Sequence, residues 1–126
     1  MRSLIIIAAA LVAGQALAQD ARGTWKTQVS DAGSWLHVAV GPCDTDPAKT
    51  CGIIAEAFNT DAANLTGKAI IMDMAPDGPG KWTDGTIWAP DDDKTYRSNM
   101  ELEGDVLKVE GCVLFFCRGQ DWTRVN

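Results

Sequence analysis

The sequence predicts a small all-β protein, an eight-stranded antiparallel up-and-down barrel that follows an N-terminal signal peptide. Three observations support this prediction. The 126 residues are enough for one domain, short strand-like segments follow one another with turns between them, and no segment sustains a helical period. Because a sheet closed on itself has no free edges, we expect a barrel. A two-sheet sandwich is the alternative, since the second strand is apolar on both faces.

The first eighteen residues have the composition of a secretory signal peptide. Arg2 gives a positive start, residues 4–12 are an unbroken apolar run, and Ala16-Leu17-Ala18 has the form of a cleavage site. The run is shorter than the roughly 20 residues that a membrane-spanning helix needs. We therefore expect cleavage near Ala18, a soluble periplasmic or secreted protein, and a single domain over residues 19–126.

The eight predicted strands are defined by alternating apolar and polar residues and by the turn residues between them. The segment 59–67 is polar and has room for one helical turn at most. Gly85 interrupts the fifth strand and indicates a β-bulge or a close approach of another backbone. The predicted strands are 25–29, 34–40, 51–58, 68–74, 82–88, 95–103, 106–113 and 120–125.

The four cysteines indicate two disulfides, because exported small domains often need covalent cross-links. Four cysteines allow three pairings, and the short spacings favour Cys43–Cys51 with Cys112–Cys117. Each bridge is expected to contribute about 2–3 kcal/mol of stability. A metal site is not predicted, since His37 is the only histidine and no Cys-x-x-Cys pair is present.

Two motifs at the ends of the domain are similar to those of lipocalin-type barrels. Gly23-Thr24-Trp25 is similar to the Gly-x-Trp that opens such barrels, and Trp122-Thr123-Arg124 supplies an arginine near the other end of the chain. In these barrels the first and last strands are neighbours. The resemblance therefore implies that Arg124 lies across Trp25 and, together with Trp122, closes one end of the barrel.

A longer resemblance covers the whole mature chain. Its most specific motifs are Pro42-Cys43, Cys51-Gly52-Ile53-Ile54, and the segments 76–82, 107–112 and 117–125. In order and spacing these motifs resemble the bacterial family called domain of unknown function 2147. The resemblance implies a small exported lipocalin-like barrel and no established activity. Two positions depart from the family pattern: Trp88 stands where Tyr is expected, and Asp93 stands where Gly is expected.

Five tryptophans are the main candidates for a binding site. Large rings fill a narrow interior efficiently, so core packing is the simplest role, and we assign it to Trp25 and Trp122. The other three tryptophans and one tyrosine are candidates for the wall or rim of a ligand pocket. In a regular strand the two tryptophans of the fifth strand share a face, unless Gly85 introduces a bulge. The candidate ligand-binding residues are Trp82, Trp88, Tyr96 and Trp35.

The function that these features favour is a periplasmic, non-enzymatic binding module that holds a small apolar ligand in or at the mouth of the barrel, without cofactor or metal. The net charge of −6 argues against nucleic acid as a partner. The alternative is a protein-interaction or inhibitor module of the cell envelope that uses its acidic loops. An enzyme is disfavoured, because His37 has no nucleophile or carboxylate partner in the sequence. Asp91-Asp92-Asp93 does not have the spacing of a calcium loop.

Overall fold

The computed structural model describes residues 20–126, so the predicted signal peptide over residues 1–18 lies outside the described residues. Eight antiparallel strands close into one barrel, in which each strand pairs with its sequence neighbours and β1 pairs with β8. The predicted barrel is confirmed, and the two-sheet sandwich is wrong. The strands are β1 Gly23–Lys26, β2 Trp35–Pro42, β3 Thr50–Phe58, β4 Ala69–Pro76, β5 Lys81–Ala89, β6 Lys94–Glu103, β7 Val106–Val113 and β8 Phe116–Arg124.

The strand directions give the barrel two different ends. Because neighbouring strands alternate in direction, the connections after β1, β3, β5 and β7 lie at one end, which we call the mouth. The connections after β2, β4 and β6 lie at the other end, together with residues 20–22 and 125–126, and we call it the closed end. The connection between β3 and β4 contains a single helical turn, α1 Ala62–Leu65, as expected for this polar segment. Among the residues described, no helix has the length and apolarity needed to cross a membrane.

The first and last strands differ from their predicted boundaries. β1 starts at Gly23 and ends at Lys26, because the next residue, Thr27, uses its side-chain hydroxyl to accept a hydrogen bond from the backbone amide of Leu36. β8 begins at Phe116, four residues before the predicted start. The pairing of Val113 with Phe116 extends the β7–β8 ladder to its turn.

The bulge predicted at Gly85 is present. The register between β5 and β6 shifts between Trp82 and Gly85, and Asp84 has a φ of 60°, in the left-handed region. The predicted close approach is also observed. A Cβ atom on Gly85 would lie 2.6 Å from the Met72 carbonyl oxygen, so a larger residue would displace β4. The bend of β5 is therefore formed at Asp84, and Gly85 is required for the close contact of β5 with β4.

Both predicted disulfides are confirmed. Cys43–Cys51 joins the residue after β2 to β3 at the closed end, and Cys112–Cys117 joins β7 to β8 next to the mouth. The two bridges account for all four cysteines of the chain. Each bridge closes a short loop beside a strand end, and the two bridges act at opposite ends of the barrel.

The hydrophobic core occupies the half of the barrel next to the closed end. Every strand except β5 contributes buried side chains to it, and β5 packs against it with partly buried ones. The largest fully buried side chains are the two tryptophans of β1 and β8. Cross-strand pairs such as Trp25 with Val38 and Leu107 with Trp122 link the core across the sheet. The most deeply buried core residues are Trp25, Val38, Ile54, Ile71, Met74, Leu107, Val109 and Trp122.

Candidate functional site

The closed end is built around the guanidinium group of Arg124. Its Nη1 donates a hydrogen bond to the Arg22 carbonyl (2.9 Å), its Nη2 donates to the Asp20 carbonyl (3.2 Å), and its Nε lies 3.2 Å from the Asp105 carboxylate. These contacts join the start of the described chain, the β6–β7 turn and β8. Because the planar fork of an arginine can hold three partners at once, one side chain connects all three segments.

Arg124 also covers the indole ring of Trp25. The guanidinium carbon lies 4.4 Å from the ring centroid, and the indole Nε1 donates a hydrogen bond to the Ala21 carbonyl at 2.8 Å. Trp25 has no exposed surface. The juxtaposition implied by the Gly-x-Trp and Trp-Thr-Arg motifs is therefore present, and a cation–π contact and hydrogen bonds occupy this end.

Trp122 forms the boundary between the core and the mouth. Its ring is buried, and its Nε1 donates a hydrogen bond to the Gln120 Oε1 at 3.0 Å. Both residues line a cavity of about 330 Å³ that opens between the loops of the mouth, and we call it the mouth cavity. Its floor is Trp122, Leu36 and Ile70, and its rim is formed by the connections after β1, β3 and β5.

A second cavity of about 320 Å³ adjoins the mouth cavity and shares Ile87 and Gln120 with it. We call it the side cavity. It lies against the inward residues of β6, β7 and β8, and Tyr96 and Arg118 are its largest polar side chains. The two cavities together occupy the half of the barrel that the core leaves unfilled.

The side cavity exists because side-chain size changes along β7 and β8. On each strand every second residue points into the barrel, and we call these residues its inward row. On β7 the row begins with the buried Leu107 and Val109 and continues with Gly111. On β8 the partners of these three residues are Trp122, Gln120 and Arg118. Large apolar groups therefore give way to a glycine and to polar groups toward the mouth. A Cβ atom on Gly111 would lie 3.4 Å from the Ile87 Cγ2, so the missing side chain leaves space that is directly part of the cavity.

The structure brings two of the four predicted ligand-binding residues to the mouth cavity. Trp35 and Trp88 both line it. Trp35 stacks on Phe58 with ring centroids 5.1 Å apart. Trp88 donates a hydrogen bond from its Nε1 to the Asp93 carboxylate at 2.9 Å, and the Lys68 ammonium lies 5.3 Å from its ring centroid.

The other two predicted residues lie elsewhere. Tyr96 lines the side cavity, and its hydroxyl donates to the Asp92 carboxylate at 3.3 Å. Trp82 lies near the closed end, beside a surface groove that includes Pro42. Six residues of extended strand separate Trp82 from Trp88, a distance of about 20 Å. The register shift between Trp82 and Gly85 also means that the two tryptophans do not share the face expected of a regular strand.

Several residues that line the cavities were not among the predicted site residues. They are Ile87, Gly111, Arg118 and Gln120. The signal that identifies the last three is the period-two inward row on β7 and β8. This alternation can be recognised only if β8 is taken to start at Phe116. Arg118 and Gln120 then point inward and alternate with the outward Cys117 and Gly119.

The remaining candidates for chemistry lie outside the two cavities. His37 is on the outer face of β2, where its ring centroid lies 4.6 Å from that of Phe58. In the described part of the chain, one group of residues has the spacing of metal ligands: Cys43, Cys51 and Asp73. The two sulfur atoms of this group are joined in a disulfide, so they offer no thiolate to a metal.

The acidic loops lie at opposite ends of the barrel. Asp44 and Asp46 follow β2 at the closed end, whereas Asp91, Asp92 and Asp93 follow β5 at the mouth. They therefore do not form one acidic surface. Asp93 has a φ of 52°, in the left-handed region that favours glycine, which agrees with the glycine expected there from the family pattern.

The comparisons with known proteins agree with this geometry. The barrel is similar to the solved structure described as "Protein HP1028 from the human pathogen Helicobacter pylori belongs to the lipocalin family", with a TM-score of 0.69 and 13% identity over 85% of this chain and 84% of that one. At this identity the similarity concerns the fold. No curated protein matches the sequence significantly. The family described as "Uncharacterized protein conserved in bacteria (DUF2147)" matches residues 23–124, and the chain belongs to this family.

Proposed function

We propose that this chain is a periplasmic, non-enzymatic binding module that holds a small apolar ligand in the mouth half of its barrel. The observation that carries the proposal is the pair of adjoining cavities above the Trp122 floor. An eight-stranded barrel either fills its interior with side chains or keeps room for one small ligand, as lipocalin barrels do. Here the closed half is filled and the mouth half is not.

The size and lining of the cavities suit a ligand with an apolar body. The mouth cavity of about 330 Å³ reaches the lower part of the range for small-molecule sites, roughly 300–1,000 Å³. Leu36, Ile70, Ile87 and Trp122 supply apolar contact at its floor and wall. The loops of the rim are polar, but the apolar floor favours an acyl chain or a fused ring at the bottom of the cavity over a sugar or a nucleotide.

The side cavity supplies a few polar groups for one polar end of such a ligand. The hydroxyl of Tyr96 and the Oε1 of Gln120 already bond to Asp92 and Trp122. Arg118 stands beside Phe116, with its guanidinium carbon 6.0 Å from the ring centroid. We therefore place the polar end of the ligand at Arg118, because an arginine donates several hydrogen bonds to a carboxylate or a phosphate.

A binding role is favoured over catalysis by the position of the ionisable groups. Asp61, Asp91 and Asp92 line the cavities from loops of the mouth, whereas the floor is apolar. His37 packs against Phe58 on the outer face. Acid–base chemistry needs such a group within hydrogen-bond reach of a substrate in the pocket, and the floor offers none of these side chains.

The periplasmic location is supported by the two disulfides and by the expected signal peptide. Disulfides persist in oxidising compartments, of which the bacterial periplasm is one. Cell fractionation, followed by mass determination of the isolated protein, tests this part of the proposal. We expect the protein in the periplasmic fraction with a mass that corresponds to cleavage near Ala18. A cytoplasmic protein that retains residues 1–18 would contradict it.

Filling the cavity tests the binding proposal. In the Gly111→Val variant the new side chain enters the side cavity next to Ile87 and Tyr96. The matched control is Gly119→Val on β8, where a Cβ atom would lie 3.4 Å from the Glu110 Cγ on the outer face. Calorimetric titration with decanoate and decanol should show binding to the wild type, a loss of about tenfold or more in affinity for Gly111→Val, and no change for Gly119→Val.

Two results would contradict the binding proposal. The first is equal affinity of Gly111→Val and Gly119→Val for the probes, because a ligand in the side cavity would clash with the side chain added at residue 111. The second is a wild-type protein that binds neither probe and that carries no lipid or other small molecule in native mass spectrometry after isolation from cells.

A further inference from the structure

The turn between β7 and β8 carries the four most exposed large apolar side chains of the described residues. Leu114 is 79% exposed and Phe115 fully so, and Val113 and Phe116 flank them with more than half of their surface exposed. We call residues 113–116 the apolar tip. Four consecutive exposed apolar residues are rare on a soluble surface without a binding role, because each of them contacts water at a cost in free energy.

The apolar tip is held in one shape. The Cys112–Cys117 disulfide joins the strands just behind it, and Val113 pairs with Phe116 across the ladder. The carbonyl of Leu114 accepts a hydrogen bond from the Arg97 Nη2 at 3.0 Å. This backbone group is therefore satisfied within the protein, which a turn needs if it is to enter an environment with little water.

Positive charge lies directly behind the apolar tip. Arg97 contacts the turn from β6, and Arg118 lies beside Phe116. Between residues 111 and 120, Arg118 is the only charged residue. An apolar projection with two guanidinium groups at its base matches the order of groups in a lipid surface, where phosphates lie above the acyl chains.

We propose that the apolar tip inserts into the headgroup region of a bilayer that contains anionic phospholipid, with Arg97 and Arg118 on the phosphates. A second copy of the chain fits less well. The tip offers a few hundred Å² of surface, against the roughly 800 Å² that each partner buries in a stable interface. A lipid surface needs no complementary pocket, and shallow insertion of a small apolar group gives reversible binding.

Val113, Phe116 and Arg118 also line the side cavity, so the two proposals share these three residues. Leu114 and Phe115 line neither cavity, and their substitution therefore tests the lipid contact separately from ligand binding.

The neighbouring acidic loop sets the orientation. Asp91, Asp92 and Asp93 are at the same end of the barrel and are repelled by anionic lipid. The barrel therefore approaches with the apolar tip first and with the β5–β6 loop held away from the surface. An Asp91→Asn variant should bind anionic vesicles more tightly than the wild type, by about two- to fivefold.

Vesicle flotation tests the proposal. The exported protein is mixed with vesicles of phosphatidylethanolamine and phosphatidylglycerol, or of phosphatidylcholine alone. The wild type should float with the anionic vesicles and less with the neutral ones, and high salt should weaken the binding. The double substitution Leu114→Ser and Phe115→Ser should weaken it by about tenfold or more. The control is Ile53→Ser, which removes an exposed apolar side chain from the barrel wall and should leave binding unchanged.

Several outcomes would overturn the proposal. If the wild-type protein floats with neither vesicle type, the proposal is wrong. It is also wrong if the double variant floats as well as the wild type. Equal binding to neutral and anionic vesicles would overturn the role of the two arginines. If light scattering shows a dimer that the double variant dissociates, and no vesicle binding is observed, the tip is an interface between copies. Circular dichroism and thermal melting of each variant confirm that the barrel is folded.

Discussion

The closed end and the mouth are built from the same eight strands but differ in what fills the space between them. At the closed end Trp25 is fully buried, its indole bonds to the Ala21 carbonyl, and Arg124 covers its ring. At the mouth the same strands leave two adjoining cavities. The packed core and the open space of this barrel therefore lie in separate halves, so we expect that substitutions can affect stability without affecting the cavities, and the reverse.

The inward row of β7 shows how this separation is encoded. Leu107 and Val109 are almost completely buried, Val109 also borders the side cavity, and Gly111 is the next inward residue toward the mouth. One strand thus contributes both to the core and to the cavity. The change occurs over two residues, about 7 Å along the strand.

The largest expected effect comes from removing a ring of the closed end. Trp25→Ala leaves a cavity in a fully buried position and breaks the hydrogen bond to the Ala21 carbonyl. We expect a loss of about 3–5 kcal/mol in the free energy of unfolding. The comparison is Trp88→Ala at the mouth, which should cost about 1–2 kcal/mol. Urea denaturation measures both, and equal losses would contradict the division into two halves.

Removing a disulfide should have the next largest effect. The variants Cys43→Ser with Cys51→Ser, and Cys112→Ser with Cys117→Ser, each should lower the free energy of unfolding by about 2–3 kcal/mol, because each restores conformational freedom to the unfolded chain. Loss of the bridge next to the mouth should also release the apolar tip. Faster hydrogen exchange confined to the β7–β8 turn would show this release. If the melting temperature of either variant is unchanged, the disulfide removed in that variant does not stabilise the fold.

Arg124→Lys tests the seal of the closed end. A lysine keeps the charge but cannot lie flat on the Trp25 ring while bonding to the Arg22 and Asp20 carbonyls, so we expect a loss of about 1–2 kcal/mol. The control is Arg22→Lys, an exposed arginine that forms an ion pair with Asp20 and should change stability by less than about 0.5 kcal/mol. Thermal unfolding distinguishes the two variants. Unchanged stability of Arg124→Lys would show that a positive charge at this position is enough to stabilise the closed end.

The smallest effect on stability is expected at the mouth. Gly111→Val should change the free energy of unfolding by about 1 kcal/mol or less, and in the direction of higher stability, because it fills empty space and replaces glycine in a strand. Gly119→Val should behave similarly. A large destabilisation by Gly111→Val alone would mean that the side cavity is smaller than the structure shows.

The sequence was sufficient to predict the closed end. Strict alternation in β6 and β7, the short cysteine spacings, and the Gly-x-Trp and Trp-Thr-Arg motifs are local signals, and each corresponds to an observed pairing. The lining of the mouth was harder to predict. It depends on which residues of strands far apart in sequence lie at the same level along the barrel axis, and the strand register sets this. Trp82 and Trp88 show this limit: they are on one strand, yet they lie at opposite ends.

The start of β8 shows a second limit. Cys117 and Gly119 alternate with Phe116 and Arg118, and neither of these small residues has the polar character that marks an outward position. The period-two pattern is therefore hidden at this point, although the pairing with β7 continues to the turn. Gly111 and Arg118, which line the side cavity, can be identified as inward residues only when the strand register is known.

The most direct test of a ligand-binding mouth is an NMR titration of ¹⁵N-labelled protein with decanoate, in which the indole N–H signals of the tryptophans are followed separately. We expect the signals of Trp35 and Trp88 to move together with the backbone signal of Gly111, while those of Trp25 and Trp82 stay in place. Shifts that are largest at Trp25 or Trp82 would place the ligand at the other end of the barrel and would rule out binding at the mouth.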